Sequence, residues 1–246
     1  MNANQIIVMD DAQSLYVRTA EEIAHFAGEA ICTHGEFTLC LTGGTTPASS
    51  YELLATRFRL SVDWKEVQFF WGDERCVPPD DPASNFGMAN RTMLSKLPLR
   101  PEQIHRIRGE DEPAQAAQEY ERELRDFFRL DQPGGLPSFN LLLLGLGENA
   151  HVASLFPDHP ALHEKTRLAV AVEVEATPRR RISLTMPVIN SAERVMFMVS
   201  GENKAEAVRS VLQGPADLEQ YPAQYVKPHN GETVWLIDKA AASQLK

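Results

Sequence analysis

Residues 139–151 read FNLLLLGLGENAH. Positions 139–144 are apolar at nearly every residue, which marks a strand covered on both faces, as in a parallel sheet. The run then breaks into Gly145-Leu146-Gly147 and a polar trio, Glu148, Asn149 and His151. Ligands of open α/β sheets bind at the carboxyl ends of the strands. This junction therefore predicts both the middle of a sheet and the first place to look for chemistry.

Outward from it, strand-like and helix-like runs alternate. Residues 12–33 follow a helical period, with Leu15, Ile23, Phe26, Ala27, Ala30 and Ile31 toward one face. Further helices are expected at 48–60, 84–96, 114–130 and 204–212. Strands are expected at 37–41, 67–71, 168–174, 182–186, 195–200 and 234–237. This alternation predicts an α/β fold with a mostly parallel central sheet and helices on both faces. No internal repeat is visible. Residues 132–137 form a Pro/Gly loop without a shift in composition, so residues 1–246 are expected to make a single domain.

Composition narrows the function classes. The chain has 43% hydrophobic and 24% charged residues, ordinary for a soluble globular protein, and a formal net charge of −10. Nucleic-acid binding needs clustered Lys and Arg and is not expected. A few placed cations can still hold a small anion inside an acidic protein. The N-terminal MNANQIIVMDDAQ carries no basic segment and no long apolar run, so no signal peptide is expected. No apolar run approaches the roughly 20 residues that cross a bilayer. Cys32, Cys40 and Cys76 are odd in number and widely spaced. That suits a reducing cytoplasm and fits neither a disulfide framework nor a metal site. No spacing suggests zinc.

Five segments could carry chemistry. Leu41-Thr42-Gly43-Gly44-Thr45-Thr46-Pro47 joins a strand to a helix, with Thr46 as the expected cap and Pro47 in the first turn. Free N–H groups and the helix dipole make such a turn an anion site, although it is as often an ordinary connection. Trp71-Gly72-Asp73-Glu74-Arg75 places three charges at a strand end, where a solvated loop is the plainer reading. Gly145–Ala150 satisfies the dinucleotide pattern G-x-G-x-x-G/A. Pro157 and Pro160 follow too soon for the long helix that a pyrophosphate site opens. A lone histidine is more often packed than catalytic, but His151 stands where sites assemble. Pro178-Arg179-Arg180-Arg181 could clamp a phosphate bidentately or simply be solvated. Gly201-Glu202-Asn203-Lys204 is another turn before a helix.

Taken together these segments resemble the 6-phosphogluconolactonase family. The matching stretches are LTGGTTPASSYELL (41–54), WGDERCVPPDDPASNFGMA (71–89), NLLLLGLGENAHVASLFPDHPAL (140–162), RRRISLTMPVINSAERVMFMVSGENKAEAV (179–208) and VWLIDKAAAS (234–243). The block ending in HVASLFP is the most specific, followed by the DER block with Ser84-Asn85. The resemblance implies a modified Rossmann-like sandwich, shared with glucosamine-6-phosphate deaminases and ribose-5-phosphate isomerases. It implies hydrolysis of 6-phospho-D-glucono-1,5-lactone to 6-phosphogluconate in the pentose phosphate pathway, without metal or organic cofactor. The only partner implied is the small sugar-phosphate lactone.

The family usually has Asp-Gly-His where this chain has Asn149-Ala150-His151, and often a lysine where it has Ala176-Thr177-Pro178. On this resemblance His151 is the expected base for water, with Asp73 and Asn149 as its catalytic neighbours. Backbone N–H groups near Gly147 are candidates for an oxyanion site. The expected phosphate anchor is Gly43, Gly44, Thr45 and Thr46, with Arg75, Arg180, Arg181 and Lys204 supplying charge. Amino-sugar-phosphate deaminases carry Phe-Asn-Glu-Pro where this chain has Ser154-Leu155-Phe156-Pro157, so their ring-opening glutamate is missing. A deaminase or isomerase is the second reading, and a non-catalytic sugar-phosphate-binding protein the third.

Overall fold

The computed structural model describes residues 4–132 and 134–246. Residues 1–3, within the N-terminal stretch read above, and Pro133 of the Pro/Gly loop lie outside them.

Nine strands are described: β1 (Asn4–Met9), β2 (Phe37–Leu41), β3 (Val67–Trp71), β4 (Asp73–Arg75), β5 (Leu141–Leu144), β6 (Ala169–Glu173), β7 (Arg180–Leu184), β8 (Arg194–Val199) and β9 (Glu232–Asp238). Six of them form a parallel sheet in the order β1-β9-β8-β5-β2-β3. β5 lies inside it, between β8 and β2, and all four of its leucines are buried. Burying a leucine stabilises by roughly 1.5–3 kcal/mol, so this one strand contributes heavily to the core. β2 is likewise buried at every position. Both faces of these inner strands are therefore covered, and the mostly parallel α/β expectation is met.

Among the described residues six α-helices accompany the strands: α1 (Ala12–His34), α2 (Thr45–Ala55), α3 (Asn85–Thr92), α4 (Pro113–Phe127), α5 (Met186–Ile189) and α6 (Ala205–Gln213). α1 starts where the Asp11 carboxylate accepts from the Ser14 N–H at 2.8 Å, a normal N-cap. Its buried face is Leu15, Thr19, Ala20, Ile23, Ala24, Phe26, Ala27 and Ala30, nearly the periodic set read from sequence.

Several expectations shift. The helix expected at 48–60 runs instead from Thr45 to Ala55. Its N-cap is Gly44, at φ 112°, not Thr46. Few side chains tolerate that backbone angle, so glycine marks the turn and the helix begins directly after it. β1 lies outside the strands expected from the sequence. Outside that expectation too is a second, three-stranded antiparallel sheet in the order β4-β7-β6. The DER segment is therefore a strand, with Asp73 opposite Ser183, Glu74 opposite Ile182 and Arg75 opposite Arg181. Charged triplets read as loops because strand propensity is largely a matter of fit to neighbours that the local sequence does not display.

The ends of β2 and β3 are pinned alike. The Tyr51 hydroxyl accepts from the Thr42 N–H and donates to the Thr42 carbonyl, at 3.1 and 3.0 Å. The Tyr120 hydroxyl does the same for Trp71, at 2.9 Å each. Both tyrosines satisfy buried backbone groups just where the site begins. Among the described residues no helix is long and apolar enough to cross a membrane.

Candidate active site

A cleft of about 240 Å³ opens at the carboxyl ends of the parallel strands. Its walls come from the segments after β2 (Thr42, Gly43, Gly44), β5 (Gly145, Leu146, Gly147, His151, Ala153) and β8 (Lys204). The second sheet adds Asp73, Arg75 and Arg181, and α3 adds Asn85. β8, β5, β2 and β3 are neighbours in the sheet. From β2 the chain passes outward to β3, whereas from β5 the next sheet strand lies on the other side. That reversal leaves a crevice at the strand ends, where α/β folds bind ligands.

The cations converge. Arg75 and Arg181 are register partners across β4 and β7, so both stand at one level of the small sheet. Arg181 is only 5% exposed and donates from Nε to the Pro178 carbonyl at 3.0 Å. Arg75 donates to the Ala83 carbonyl at 2.8 Å, and its buried Nε has no hydrogen-bond partner among the described residues. Burial, followed by the neighbouring Arg75, lowers the Arg181 pKa. Burial also lowers that of Lys204, against the pull of Glu148. Among the described residues none of the three is ion-paired to a carboxylate. Converging cations that no carboxylate pairs directly repel one another, and an anion in the cleft relieves that repulsion.

Arg180 is exposed and lies outside the cleft. Successive strand residues point to opposite faces, so Arg180 and Arg181 cannot both enter it. Thr45 and Thr46 sit in the first turn of α2. They do not line the cleft either, while Gly43 and Gly44 do.

His151 is held from three directions. Its Nδ1 lies 2.6 Å from the Asn149 amide oxygen, which also faces the His151 backbone N–H at 3.4 Å. An oxygen there accepts, so Nδ1 carries the proton and Nε2 keeps its lone pair. The imidazole stacks on Phe156, with centroids 4.0 Å apart and planes 13° apart. The Gly147 backbone closes on its edge: a Cβ on Gly147 would lie 2.0 Å from Nδ1. Burial first, then Arg181, Lys204 and Arg75, lower the His151 pKa to about 4. The imidazole is therefore neutral across the ordinary pH range, well below the unperturbed value near 6.5.

Asp73 is 5% exposed and bonded away from His151. Its Oδ2 accepts from the Ser154 hydroxyl at 2.6 Å and its Oδ1 from the Asn85 amide at 3.1 Å. The partner that orients His151 is Asn149, which lies just outside the cleft lining. The Gly147 N–H donates to the His151 carbonyl at 3.0 Å. That one donor is spent on the loop. The fingerprint glycines open no long helix. A turn follows them, and the next helical element is a single 3-10 turn at Pro160–His163.

Asn85, Ser154 and Phe156 carry no role in the sequence-based expectation, although all three stand inside its quoted blocks. Glu74 explains how Asn85 arrives. Its buried carboxylate accepts from the backbone N–H groups of Arg75, Asn85 and Phe86 and from the Ser84 hydroxyl, at 2.7–3.1 Å. It thereby ties the N-terminus of α3 to β4. Burial pushes its carboxyl up to about 7, against those backbone donors. Among the described residues no group of three or more His, Cys, Asp or Glu is placed to hold a metal.

Comparison with known proteins agrees with this architecture. The family model for glucosamine-6-phosphate isomerases and 6-phosphogluconolactonases matches residues 10–235. A 6-phosphogluconolactonase of Nostoc sp. is 39% identical over 239 residues, covering 97% of each chain. One of Synechocystis sp. is 38% identical over 245 residues, covering 99% of each. The crystal structure of a devB protein superposes with a TM-score of 0.90 at 32% identity, over 99% of this chain and 100% of the other. A monomeric glucosamine-6-phosphate deaminase shares the fold, with a TM-score of 0.81 at 21% identity, over 97% of this chain and 99% of its own. The chain belongs to the family of glucosamine-6-phosphate isomerases and 6-phosphogluconolactonases.

Proposed function

We propose that the chain hydrolyses 6-phospho-D-glucono-1,5-lactone to 6-phosphogluconate, with His151 as the general base. The observation that carries this reading is a neutral histidine, fixed at Nδ1, sharing one cleft with Arg75, Arg181 and Lys204. The cations take the phosphate at one end of the substrate, which leaves the lactone carbonyl for His151 at the other. Nε2 removes a proton from water as its oxygen bonds to the carbonyl carbon. The tetrahedral intermediate then expels the ring oxygen, and that oxygen takes the proton back from the imidazolium. The transient imidazolium forms beside three cations, so the substrate's phosphate lowers the cost of charging it.

Gly43 and Gly44, with Thr45 and Thr46 behind them, offer a backbone approach at the start of α2 for the same phosphate. Arg180 takes no part. Asp73, fixed by Asn85 and Ser154, is a fitting acceptor for a sugar hydroxyl. No metal, organic cofactor, nucleic acid or membrane enters this reading, and free thiols at Cys32, Cys40 and Cys76 support a cytoplasmic setting. The test is a coupled assay on freshly made phosphorylated lactone, with spontaneous hydrolysis subtracted. Glucosamine 6-phosphate serves as the competing substrate. Enzyme-dependent release of 6-phosphogluconate is expected. Turnover of the amino sugar instead, or binding without turnover, would overturn the reading.

A further inference from the structure

We infer that Phe156 is a positioning residue for His151: its ring backs the imidazole, keeps it out of water and holds Nε2 toward the cleft. The inference rests on the proposed role of His151. Phe156 lies five positions after the histidine, on the far side of the turn that contains Ala153 at φ 48°. Its ring meets the imidazole nearly face to face and also packs on Val170, Val172 and Val174, a small apolar cluster of the second sheet. It is thus a rigid spacer between β6 and the catalytic loop. The Arg181 guanidinium carbon stands 5.4 Å from the same ring's centroid, so one phenyl touches both the proposed base and a proposed phosphate anchor.

The remaining restraints on His151 cannot do this work. Asn149 fixes one nitrogen and leaves the ring free to pivot about that hydrogen bond. The Gly147 backbone limits motion at the Cγ–Nδ1–Cε1 edge only. A flat hydrocarbon face against the imidazole stops the pivot and removes water from that side. Exclusion of water disfavours the charged ring, and it is the largest cause of the lowered His151 pKa. The charged groups around the imidazole are Arg181 on β7, Arg75 on β4 and Lys204 at the start of α6. Two carboxylates stand nearby. Asp73 on β4 is engaged by Ser154 and Asn85, and Glu148 in the histidine's own loop accepts from Asn203 at 2.7 Å. Of these, Arg181 also rests on the Phe156 ring, so a shift in His151 titration reports the ring together with the guanidinium it supports.

The experiment compares Phe156→Leu, Phe156→Met and Phe156→Tyr with the parent. The readouts are steady-state kinetics and an NMR titration of the His151 Cε1–H, assigned by its loss in a His151→Gln spectrum. Phe156→Leu is expected to lower kcat roughly 10- to 100-fold through misplacement of the base, with KM within about threefold. The His151 midpoint should rise by about one unit or more toward 6.5. Phe156→Tyr keeps the flat ring and should restore both values. If Phe156→Leu does not fold, Phe156→Met, which fills similar space without a flat face, is read by the same criteria. A folded Leu or Met variant whose His151 titrates with the parent and whose kcat is unchanged overturns the inference. The titration needs no turnover: a parent without lactonase activity would end the proposed function, and the midpoint shift would still decide the role of Phe156.

Discussion

The imidazole Nδ1 of His151 sits 2.6 Å from the amide oxygen of Asn149, two residues earlier in the same turn. A neutral amide fixes the tautomer as a carboxylate would but adds no negative charge. The charges that bear on the ring, those of Arg181, Lys204 and Arg75, all disfavour an imidazolium. A general base is disabled by protonation, and burial moves that step down to about pH 4. The value of kcat/KM, which reports the free enzyme, should therefore fall by less than about twofold between pH 7.5 and 5.5. In Asn149→Asp the added carboxylate favours the charged ring, so the acidic limb should climb by about 1–3 units. The kcat/KM–pH profile of the two proteins checks both. A limb that stays in place in the folded variant would show that position 149 does not set the protonation of His151.

Removing the base is the direct test of the mechanism. His151→Ala should lose on the order of 10²–10⁴-fold in kcat, the usual contribution of a positioned acid–base group. Its circular dichroism and melting temperature should stay near the parent's, because the ring lies at the edge of the cleft. Hydrolysis at nearly the parent rate would falsify His151 as the base.

Gly147→Ala should act through the same ring. The new Cβ would meet the imidazole 2.0 Å from Nδ1, so the ring or the loop must move. A displacement near 1 Å at a catalytic group costs about 10²-fold in rate. Gly28→Ala is the control, since a Cβ there meets nothing within 4 Å. It lies within α1 and should stabilise the fold by about 0.5–1 kcal/mol with activity intact. Thermal melts and the lactone assay on both variants separate the two effects. Equal activity in Gly147→Ala would mean that the histidine tolerates the shift.

The cation cluster predicts selectivity for the phosphorylated substrate. Arg181→Ala and Arg75→Ala should each weaken 6-phosphogluconate binding by about 10- to 150-fold, equivalent to roughly 1.5–3 kcal/mol for a charge-assisted contact. Glucono-1,5-lactone, which lacks the phosphate, should be a correspondingly poor substrate of the parent and nearly indifferent to either change. Calorimetry and paired kinetics provide the measurement. Equal efficiency on the two lactones would remove the phosphate from the model of the cleft. Arg180→Ala, outside the cleft, should bind like the parent.

Dinucleotides should not bind at micromolar concentration, despite the glycine spacing of Gly145–Ala150. The pyrophosphate of such ligands rests on the N-terminus of a long helix, and here the glycines lead into turns and a single 3-10 turn. A titration of NAD and NADP followed by intrinsic fluorescence would detect a site. Saturation in the micromolar range would revive the fingerprint.

Much of this architecture was legible along the chain. Leucines at 141–144 leave no polar face, so β5 had to be buried on both sides, and the residues after it had to stand at a strand end. The Gly43-Gly44 turn, Arg75, His151 and Lys204 were legible for the same reason: each follows or ends a recognisable run. Other features depend on elements distant in sequence. The antiparallel pairing of β4 with β7 brings residues 73–75 against 181–183, and no local pattern announces it. Through that pairing, register rather than composition selects Arg181 for the cleft and turns Arg180 to solvent. Asp73 was visible as a charged residue, but its commitment to Ser154 and Asn85 joins positions 73, 85 and 154. Sequence alone determined which residues could do chemistry here, because residue type and local periodicity are properties of short segments. Tertiary structure alone decided which of them meet, because strand register and burial depend on segments that touch only after the chain has folded.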